Sequence, residues 1–383
     1  LGRIAIGRIM NGVLRPEQSV VCCKGEEVSP PVQVTKVYQF EGLSRKECDR
    51  AMFGDIVAVA GINNEVTIGS TICLPDQPKP LPYVSIDEPT LSMYVSVNDS
   101  PFYGREGKLL TSRQIRDRLV KELKTNDALR DEDTDAAELI KVSGRGQLHL
   151  GILIETMRRE GFEVGLSKPE VIFRMIDGQK YEPIELLTVD INEEHQGTIM
   201  EILGRRRAIM QNVEHYGEGK MRIDFRIPAR GLLGFRSPFL TETRGTGLMS
   251  HRFIEYAPYM GEIPSRTKGS LISMATGATT GYSLDGLQAR GVMFVGPGVE
   301  VYEGMVIGEH SRENDLEMNP TKKKQLTNMR ASGTDDAITL IPPRVMNLEE
   351  AMDWINDDEL IEVTPQTIRL RKRFLKPHER KRS

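Results

Sequence analysis

The sequence has few of the residue types from which metal sites and redox centres are built. It contains four cysteines in 383 residues, and their positions, 22, 23, 48 and 73, match neither a Cys-x-x-Cys zinc site nor a redox motif. Cys22 and Cys23 would point to opposite faces of a strand. We expect reduced core thiols, since intracellular thiols stay reduced and are often buried. The sequence therefore predicts no metal site.

Long hydrophobic runs are also missing. Hydrophobic residues make up 39% of the chain and charged residues 28%, and no stretch approaches the roughly 20 apolar residues that a membrane helix needs. This length and composition predict roughly two to four compact domains. The chain starts at Leu1, and GRIAIGRIMNGV shows no targeting signal. We therefore expect a cytoplasmic protein without membrane contact, and we expect the chain to begin inside a longer protein.

The motifs of an independent enzyme are absent from the sequence. Nucleotide hydrolysis requires a phosphate-binding loop, but no G-x-x-x-x-G-K-[ST] occurs, and GREGKL at Gly104 has the wrong spacing. The acidic pairs at 193–194 and 335–336 have no nucleophile or metal pattern near them. His149 lies between two leucines, which favours packing over catalysis. We expect no catalytic residue and no cofactor bound by this chain itself.

Positive charge is concentrated at one end of the chain. The formal net charge is −4, whereas the segment 369–383 has eight Lys or Arg and one acid, so the remaining chain is at −11. An acidic body with a basic end is typical of a protein that contacts a polyanion at chosen patches. Beyond Pro377, a solvated terminal extension is an equally good interpretation. Arg371, Lys372 and Arg373 are candidate RNA contacts within this segment.

Four domains can be predicted from local patterns, giving a multidomain α+β protein. Residues 1–82 have short β-rich runs and an Asn-Gly turn signal, typical of a small β-barrel, and end in the proline-rich linker PDQPKPLP. Residues 83–178 and 179–260 each show strand, helix, two strands, helix and strand, the βαββαβ order of a ferredoxin-like domain. Residues 261–383 predict a β-rich domain with one helix, capped by Asn347.

A cationic segment lies inside the fourth predicted domain. Lys322, Lys323, Lys324 and Arg330 fall within 319–332, which contains no acid and few large apolar residues, and this predicts a long mobile loop. Such a loop suits phosphate, because neutralising several phosphates releases counterions and a flexible segment can enter a narrow crevice. A solvated charge run is the alternative, since acids lie just before the segment at 313–317. Composition alone leaves the two open.

Three longer segments resemble parts of translational GTPases. GRIAIGRIMNGVLRPEQSV and GDIVAVAGI resemble the β-barrel that follows the G domain in elongation factors, and SGRGQLHLGILIETMRREG resembles the third domain of elongation factor G. EPIELLTVDINEEHQGTIMEILGRRRAIMQ resembles the fifth domain of that factor, but it follows directly, with no room for the decoding-centre domain. This departure disfavours elongation factor G and leaves two bacterial branches, BipA/TypA and the back-translocase LepA.

The C-terminal region discriminates between the two branches. GSLISMATGATTGYSLDGLQARGVMFVGPGVEVYEGMVIGEH and DLEMNPTKKKQLTNMRASGTDD resemble the C-terminal domain of BipA/TypA and not that of LepA. The chain is thus identified as a member of the BipA/TypA family without its G domain. The resemblance implies that GTP hydrolysis, GTP and Mg²⁺ belong to a separate N-terminal domain of the parent protein.

The same resemblance implies partners. It implies a monomeric factor that binds the ribosome beside the A site, contacts ribosomal RNA and the A-site tRNA, and acts in stress-linked translation and large-subunit assembly. The segment from Lys322 to Arg330 would be its probe. Arg205, Arg206 and Arg207 at a helix end are candidate RNA contacts, although the helix dipole also favours cations there; so are Arg266, Lys268 and Arg290, set among glycines. The alternative is a scaffold that docks on proteins without reading RNA, and salt dependence would separate the two.

Overall fold

The structure, a computed structural model, consists of two compact units, Leu1–Ile86 (unit 1) and Asp87–Ser383 (unit 2). It describes residues 4–42, 44–62, 66–82, 88–123, 125–126, 128–133, 138–217, 219–263, 266–324 and 339–380. Within these ranges no helix is long and apolar enough to span a bilayer.

Unit 1 consists of short strands around one small core. The strands are β1 (Ile4–Arg8), β2 (Val13–Leu14), β3 (Ser19–Lys24), β4 (Glu27–Val28), β5 (Val32–Gln33), β6 (Lys36–Glu41), β7 (Ser44–Glu47), β8 (Ala51–Met52), β9 (Ile56–Ala60) and β10 (Thr71–Cys73). Their inner faces bury a cluster of mainly valine side chains, with Cys22 among them. Cys23 is also buried, and neither forms a disulfide.

Unit 1 has the β-rich fold that was predicted, and its described strands do not close into a single barrel. They form one sheet in the order β1-β9-β6-β7, a second in the order β10-β3-β4 with β5 also on β3, and a β2-β8 ribbon. These strands are only two to six residues long, so each ends in a turn before it can pair with a further strand. At Gly61, where φ is +103°, a Cβ would lie 2.5 Å from the backbone nitrogen of Thr35, so only glycine fits this turn.

The first predicted ferredoxin-like domain is confirmed at the start of unit 2. Its elements are β11 (Leu91–Val97), α1 (Ser112–Leu123), β12 (Arg130–Asp133), β13 (Leu139–Gly144), α2 (Gln147–Arg159) and β14 (Val164–Leu166). The strands lie in the order β12-β13-β11-β14, with every pairing antiparallel. Helix α1 starts at a capping box, in which Thr111 and Gln114 exchange hydrogen bonds, and it buries Ile115 and Leu119.

The second ferredoxin-like domain is also confirmed. After β15 (Glu170–Val171) and β16 (Arg174–Ile176) come β17 (Gln179–Asn192), α3 (Gln196–Arg205), β18 (Ile209–His215), β19 (Lys220–Pro228), α4 (Ala229–Leu232), α5 (Arg236–Glu242) and β20 (Leu248–Pro258). The sheet order is β18-β19-β17-β20. The second helix was predicted as one segment but is two, because Leu233 is extended and Gly234 has a φ of +66°.

The C-terminal part of unit 2 is β-rich, as predicted, but has three helices in its described residues rather than one. Its elements are β21 (Ser270–Ser273), β22 (Gly277–Ala278), α6 (Gly281–Gln288), β23 (Gly291–Met293), β24 (Glu300–Val301), β25 (Met305–His310), β26 (Leu316–Met318), α7 (Leu348–Trp354), β27 (Glu359–Val363), β28 (Ile368–Lys372) and α8 (Pro377–Arg380). Helix α7 is the predicted one, with a full capping box at Asn347. Helix α8, with four residues, is too short for a periodic pattern, and α6 was also missed.

One sheet runs through both ends of unit 2. Strand β14 pairs with β27, with Val164 opposite Val363, and the sheet continues through β28, β25, β21 and β26. The hydrophobic core is shared as well, because residues of β11 and α2 cluster with Leu348 and Trp354 of α7 and with Leu370 of β28. The first ferredoxin-like domain and the C-terminal region are therefore joined by backbone pairing and by a common core.

Candidate nucleic-acid interface

The predicted cationic segment begins on the surface of unit 2. Lys322 and Lys323 are exposed and Lys324 is half-buried, whereas Arg330 lies outside the described residues, as does most of the expected loop. The backbone leading to the lysines is tied to α6. Ser283 Oγ donates to the Asn319 carbonyl over 2.6 Å, and the Thr280 hydroxyl donates to the carbonyl of Lys322. The two exposed ammonium groups therefore lie on a fixed base.

The chain that returns after residue 338 is tied to the same helix. Gln288 Nε2 donates to the Thr339 carbonyl over 3.1 Å, and the Ile341 N–H donates to Gln288 Oε1 over 3.0 Å. Helix α6 thus holds both flanks of residues 325–338. Helix α6 was not predicted from the sequence. A usable signal was present, because the N-cap Thr280 is followed by the apolar residues Leu284 and Leu287.

The three arginines at the end of α3 have different environments. Arg205 is exposed and pairs with Glu201 one turn earlier, at 2.6 Å. Arg207 is exposed, has a φ of +63°, and donates from Nε to the Glu262 carbonyl over 3.2 Å. Arg206 turns inward and donates to the carbonyls of Gly231 and Leu233 over 2.9 and 2.7 Å, and to that of Gly234 over 3.2 Å.

Burial lowers the pKa of Arg206, because its hydrogen bonds go to neutral carbonyls rather than to a carboxylate. The guanidinium fork satisfies the backbone where α4 ends and α5 begins, a point at which helix carbonyls lose their intrahelical partners. Arg206 therefore stabilises the fold through its bonds to the backbone, whereas Arg205 and Arg207 face solvent.

Arg266, Lys268 and Arg290 also divide into internal and external groups. Arg266 stacks over Trp354 at 3.6 Å and donates to the Trp354 carbonyl and to Glu359, each over 3.1 Å. Lys268 is exposed and pairs with Glu309 at 2.8 Å. Arg290 follows α6 directly and is exposed.

The basic run of β28 is mostly internal. Arg371 is 2% exposed and pairs with Asp99, and Lys372 is equally buried. Burial alone would lower the pKa of Lys372, but the net shift is upward, because its ammonium contacts three carboxylates at 2.6 to 3.0 Å. Arg373 is exposed, with Nη2 donating to the Asp357 carbonyl over 3.0 Å. No local signal separates these cations, because their partners are distant in sequence.

The described part of the chain contains no group of three or more His, Cys, Asp or Glu side chains placed to hold a metal ion. His149 lies between two neighbours, with Nε2 2.8 Å from Asn126 Nδ2 and Nδ1 accepting from the Arg145 N–H over 3.4 Å. Burial lowers its pKa, with the Arg145 charge as a further cause. A neutral, hydrogen-bonded imidazole in this position is suited to packing.

A cleft of about 690 Å³ lies in unit 2 between α4–α5, residues 168–173 and α7. Six Lys or Arg and five Asp or Glu line it. Several of the cations are already paired: Lys168 with Asp357 at 3.1 Å, and Arg266 and Lys268 with the glutamates given above. Because its charges are largely balanced, the cleft offers phosphate less attraction than the exposed lysines beside α6.

Three family models match separate parts of the chain. Residues 2–73 match domain 2 of elongation factor Tu, and residues 179–267 match the C-terminus of elongation factor G. Together with the two βαββαβ domains, these matches define the class of translation factors. Residues 268–377, which hold α6 and the exposed lysines, match the TypA/BipA C-terminal domain. The C-terminal part of the chain is therefore a TypA/BipA C-terminal domain.

Curated relatives agree with this assignment. The chain is 51% identical to the "Large ribosomal subunit assembly factor BipA" of Salmonella typhimurium, covering 100% of this chain and 63% of the relative. Proteins with the same name from Synechocystis sp. and Bacillus subtilis are 50% and 46% identical. They are covered over 62% and 63% of their length, with 97% and 100% of this chain matched. The chain therefore spans less than two thirds of these relatives.

Proposed function

We propose that this chain is the ribosome- and RNA-binding body of a BipA-type translational GTPase that acts in assembly of the large ribosomal subunit. The relatives' name, large ribosomal subunit assembly factor, supports the assembly role. In this proposal the chain acts as a cytoplasmic monomer, and its domains span 1–82, 83–178, 179–260 and 261–383. It binds at the factor site beside the A site, where it contacts ribosomal RNA and tRNA, and it serves stress-linked translation.

The proposal assigns GTP hydrolysis, with GTP and Mg²⁺, to a domain outside this chain. The sequence has no phosphate-binding loop, and the relatives are longer than the chain. In this scheme the two ferredoxin-like domains act as a rigid spacer, which relates the nucleotide state to the position of the C-terminal domain.

The observation that carries the RNA-binding proposal is the exposed pair Lys322 and Lys323 at the start of the cationic segment. Both lie within the region that matches the TypA/BipA C-terminal domain, and their backbone is held by α6. Anchored cations suit phosphate contacts, because each neutralised phosphate releases counterions while the anchor limits the entropy lost on binding. Lys324 and Arg330 extend the same segment.

Other exposed cations form a secondary set in this proposal. Arg205, Arg207, Lys268, Arg290 and Arg373 are all exposed. Arg206, Arg266, Arg371 and Lys372 are left out of the interface, because their side chains already bind partners within the fold.

The first test compares ribosome binding of the wild-type chain with that of a variant in which Lys322, Lys323 and Lys324 are replaced by Ala. Co-sedimentation with purified ribosomes over a salt series gives the dissociation constant and its slope against log salt. Each lost phosphate contact flattens the slope by about 0.7 to 0.9. We therefore expect weaker binding and a slope flattened by roughly two to three.

A matched control removes three exposed cations elsewhere by replacing Lys46, Arg113 and Arg159 with Ala. It changes the net charge equally but leaves the segment intact, so the slope should stay close to that of the wild type. Both variants should keep the wild-type melting temperature. A triple-lysine variant that binds like the wild type at every salt concentration would overturn the RNA-binding proposal.

A protein-docking scaffold is the second candidate, and one observation favours it. Unit 1 exposes several large apolar side chains around its β2-β8 ribbon and β9, since Phe53 is 70% exposed, Ile56 58% and Met52 51%. Apolar side chains exposed together mark protein-interaction surfaces more often than scattered ones do. Binding through this surface should change little with salt. Replacing Phe53 with Ser would then weaken ribosome binding, whereas the lysine variant would not.

A further inference from the structure

Helix α6 has an exposed aromatic side chain on the outer face of the element that anchors the cationic segment. Tyr282 is 49% exposed, whereas Leu284 and Leu287 of the same helix pack into the core of the C-terminal region. Single exposed aromatic residues are common, so exposure alone carries no conclusion. Two features of its surroundings distinguish Tyr282 from an ordinary exposed aromatic residue.

The first feature is its position in the helix, between the two residues that hold the backbone of the cationic segment. Thr280, two residues before Tyr282, bonds to the backbone of Lys322, and Ser283, the next residue, bonds to that of Asn319. The tyrosine therefore lies within about one helical turn, roughly 5.4 Å along the axis, of the two residues that anchor the cationic segment. Arg290 is exposed just after the other end of the same helix.

The second feature is the free surface around the ring. One turn after Tyr282 on the same helix face lies Gly286, and a Cβ built there would meet nothing within 4 Å. Asp285 on that face accepts a hydrogen bond from Gln288 over 3.0 Å. Among the described residues, no ring or cation contacts the Tyr282 ring. The exposed 49% of the side chain therefore offers surface to a planar ligand.

We propose that Tyr282 stacks on an unpaired RNA base while Lys322 and Lys323 hold the adjoining phosphates. Aromatic side chains beside a cationic track are how proteins bind single-stranded RNA, because every base has a π-face and each stacked base contributes about 1–3 kcal/mol. The inference rests on the proposed RNA-binding function and adds the substrate class. A paired base inside an A-form helix has no free face to offer, so the site selects unpaired nucleotides.

The test measures binding of the full chain to two fluorescent probes, a 12-nucleotide oligo(A) RNA and a blunt RNA duplex of the same length. Replacing Tyr282 with Ala should weaken oligo(A) binding roughly 5- to 150-fold, the change that corresponds to one stacked base. Because stacking releases no counterions, the slope against log salt should be unchanged. Duplex binding should stay within about twofold of the wild type, since only phosphates are contacted there.

Two further variants separate stacking from other roles of the side chain. Tyr282→Phe and Tyr282→Trp keep an aromatic face, so both should bind oligo(A) about as well as the wild type does. If the tyrosine hydroxyl were required instead, both variants would bind oligo(A) weakly. The Lys322→Ala/Lys323→Ala variant should flatten the salt slope for both probes. Equal melting temperatures for all variants would establish that the fold is intact.

The outcomes distinguish the two proposals. If the wild-type chain binds neither probe nor ribosomes, the proposed RNA-binding function fails and the stacking inference fails with it. If the wild type binds with a salt slope that depends on the lysines, but Tyr282→Ala binds oligo(A) equally well, the stacking inference alone is overturned. Equal loss of duplex and oligo(A) binding in Tyr282→Ala would also overturn it.

Discussion

His251 forms a pH-sensitive contact on β20. Its Nδ1 is hydrogen-bonded to the carboxylate of Glu185, which is 5% exposed, and this bond raises the pKa of His251 above its ordinary value. A raised pKa in the folded state means that the contact contributes its full stabilisation below the unfolded pKa. That stabilisation is then lost as the pH rises through the folded value.

We therefore predict that replacing His251 with Gln destabilises the chain more at about pH 5.5 than at about pH 8.5, on either side of the ordinary histidine value. Urea unfolding at both pH values measures the difference. In the Glu185→Gln variant a neutral amide replaces the carboxylate and no longer favours the charged form of His251. The free energy of unfolding of that variant should therefore lose most of the pH dependence that His251 contributes. Equal losses at both pH values in His251→Gln would contradict this assignment.

The arginine triplet at the end of α3 gives a second prediction at the residue scale. Replacing Arg206 with Ala removes the guanidinium donor from three partly buried carbonyls, so we expect a loss of about 1–3 kcal/mol in the free energy of unfolding. Replacing Arg205 with Ala removes an exposed i,i+4 pair and should cost no more than about 0.5 kcal/mol. Urea unfolding of the two variants measures both values, and equal losses would contradict the internal role of Arg206.

These arginines also show where sequence reasoning stops. Three identical side chains in succession carry no sign of which one turns inward. The carbonyls that bind Arg206 lie 25 to 28 residues away, and the carboxylate that pairs with Arg266 lies 93 residues away. Burial of a cation is decided by these distant partners, so the sequence can identify candidates for an interface but cannot sort them.

At the scale of elements, the predictions succeeded where the local pattern is long. The two βαββαβ domains were predictable, because helices of ten or more residues show a 3.6-residue period and their strands alternate. Helix α6 has only eight residues, two of them glycine, so its signal is limited to the Thr280 N-cap and the apolar pair Leu284 and Leu287, and it was missed. The break between α4 and α5 depends on the left-handed Gly234, and an isolated glycine in a helical pattern predicts a break only weakly.

The capping box of α7 gives a prediction at this scale. The Asn347 side chain accepts from the Glu350 N–H over 2.9 Å, and Glu350 accepts from the Asn347 N–H over 2.9 Å. Replacing Asn347 with Ala should cost about 1 kcal/mol, measured by urea unfolding. Glu350→Gln is the control, since glutamine also closes a capping box and should stay close to the wild type. A harmless Asn347→Ala would mean that packing alone fixes the start of this helix.

At the scale of the whole molecule, the sheet of unit 2 does not follow the order of the chain. The pairing of β14 with β27 joins residues about 200 positions apart, and no local pattern predicts a sheet that passes from one domain to another. A polar network lies beside this junction. Arg369 of β28 bonds to Glu362 at 3.0 Å and to Glu106, and Glu362, which is fully buried, also accepts from Asn98 over 3.3 Å.

This network predicts that the first ferredoxin-like domain and the C-terminal region unfold together. Replacing Arg369 with Ala leaves Glu362 buried with one cation fewer, at an expected cost of about 3–5 kcal/mol, because an unpaired buried charge is strongly unfavourable. Arg373→Ala, at an exposed position just after the same strand, should change stability by no more than about 0.5 kcal/mol. Native-state hydrogen exchange of both variants provides the measurement.

Amide protons of β14 and β27 should lose protection by the same factor in Arg369→Ala, because both strands belong to one sheet and one core and would therefore open as one cooperative unit. If the amides of β27 exchanged faster while those of β14 stayed protected, the two regions would be separate cooperative units, and the rigid-spacer part of the proposed function would fail. Coupled opening would instead mean that a displacement of the first ferredoxin-like domain reaches α6 and the exposed lysines through a continuous sheet, since Leu284 and Leu287 of α6 share a core cluster with residues of β25 and β21 in that sheet.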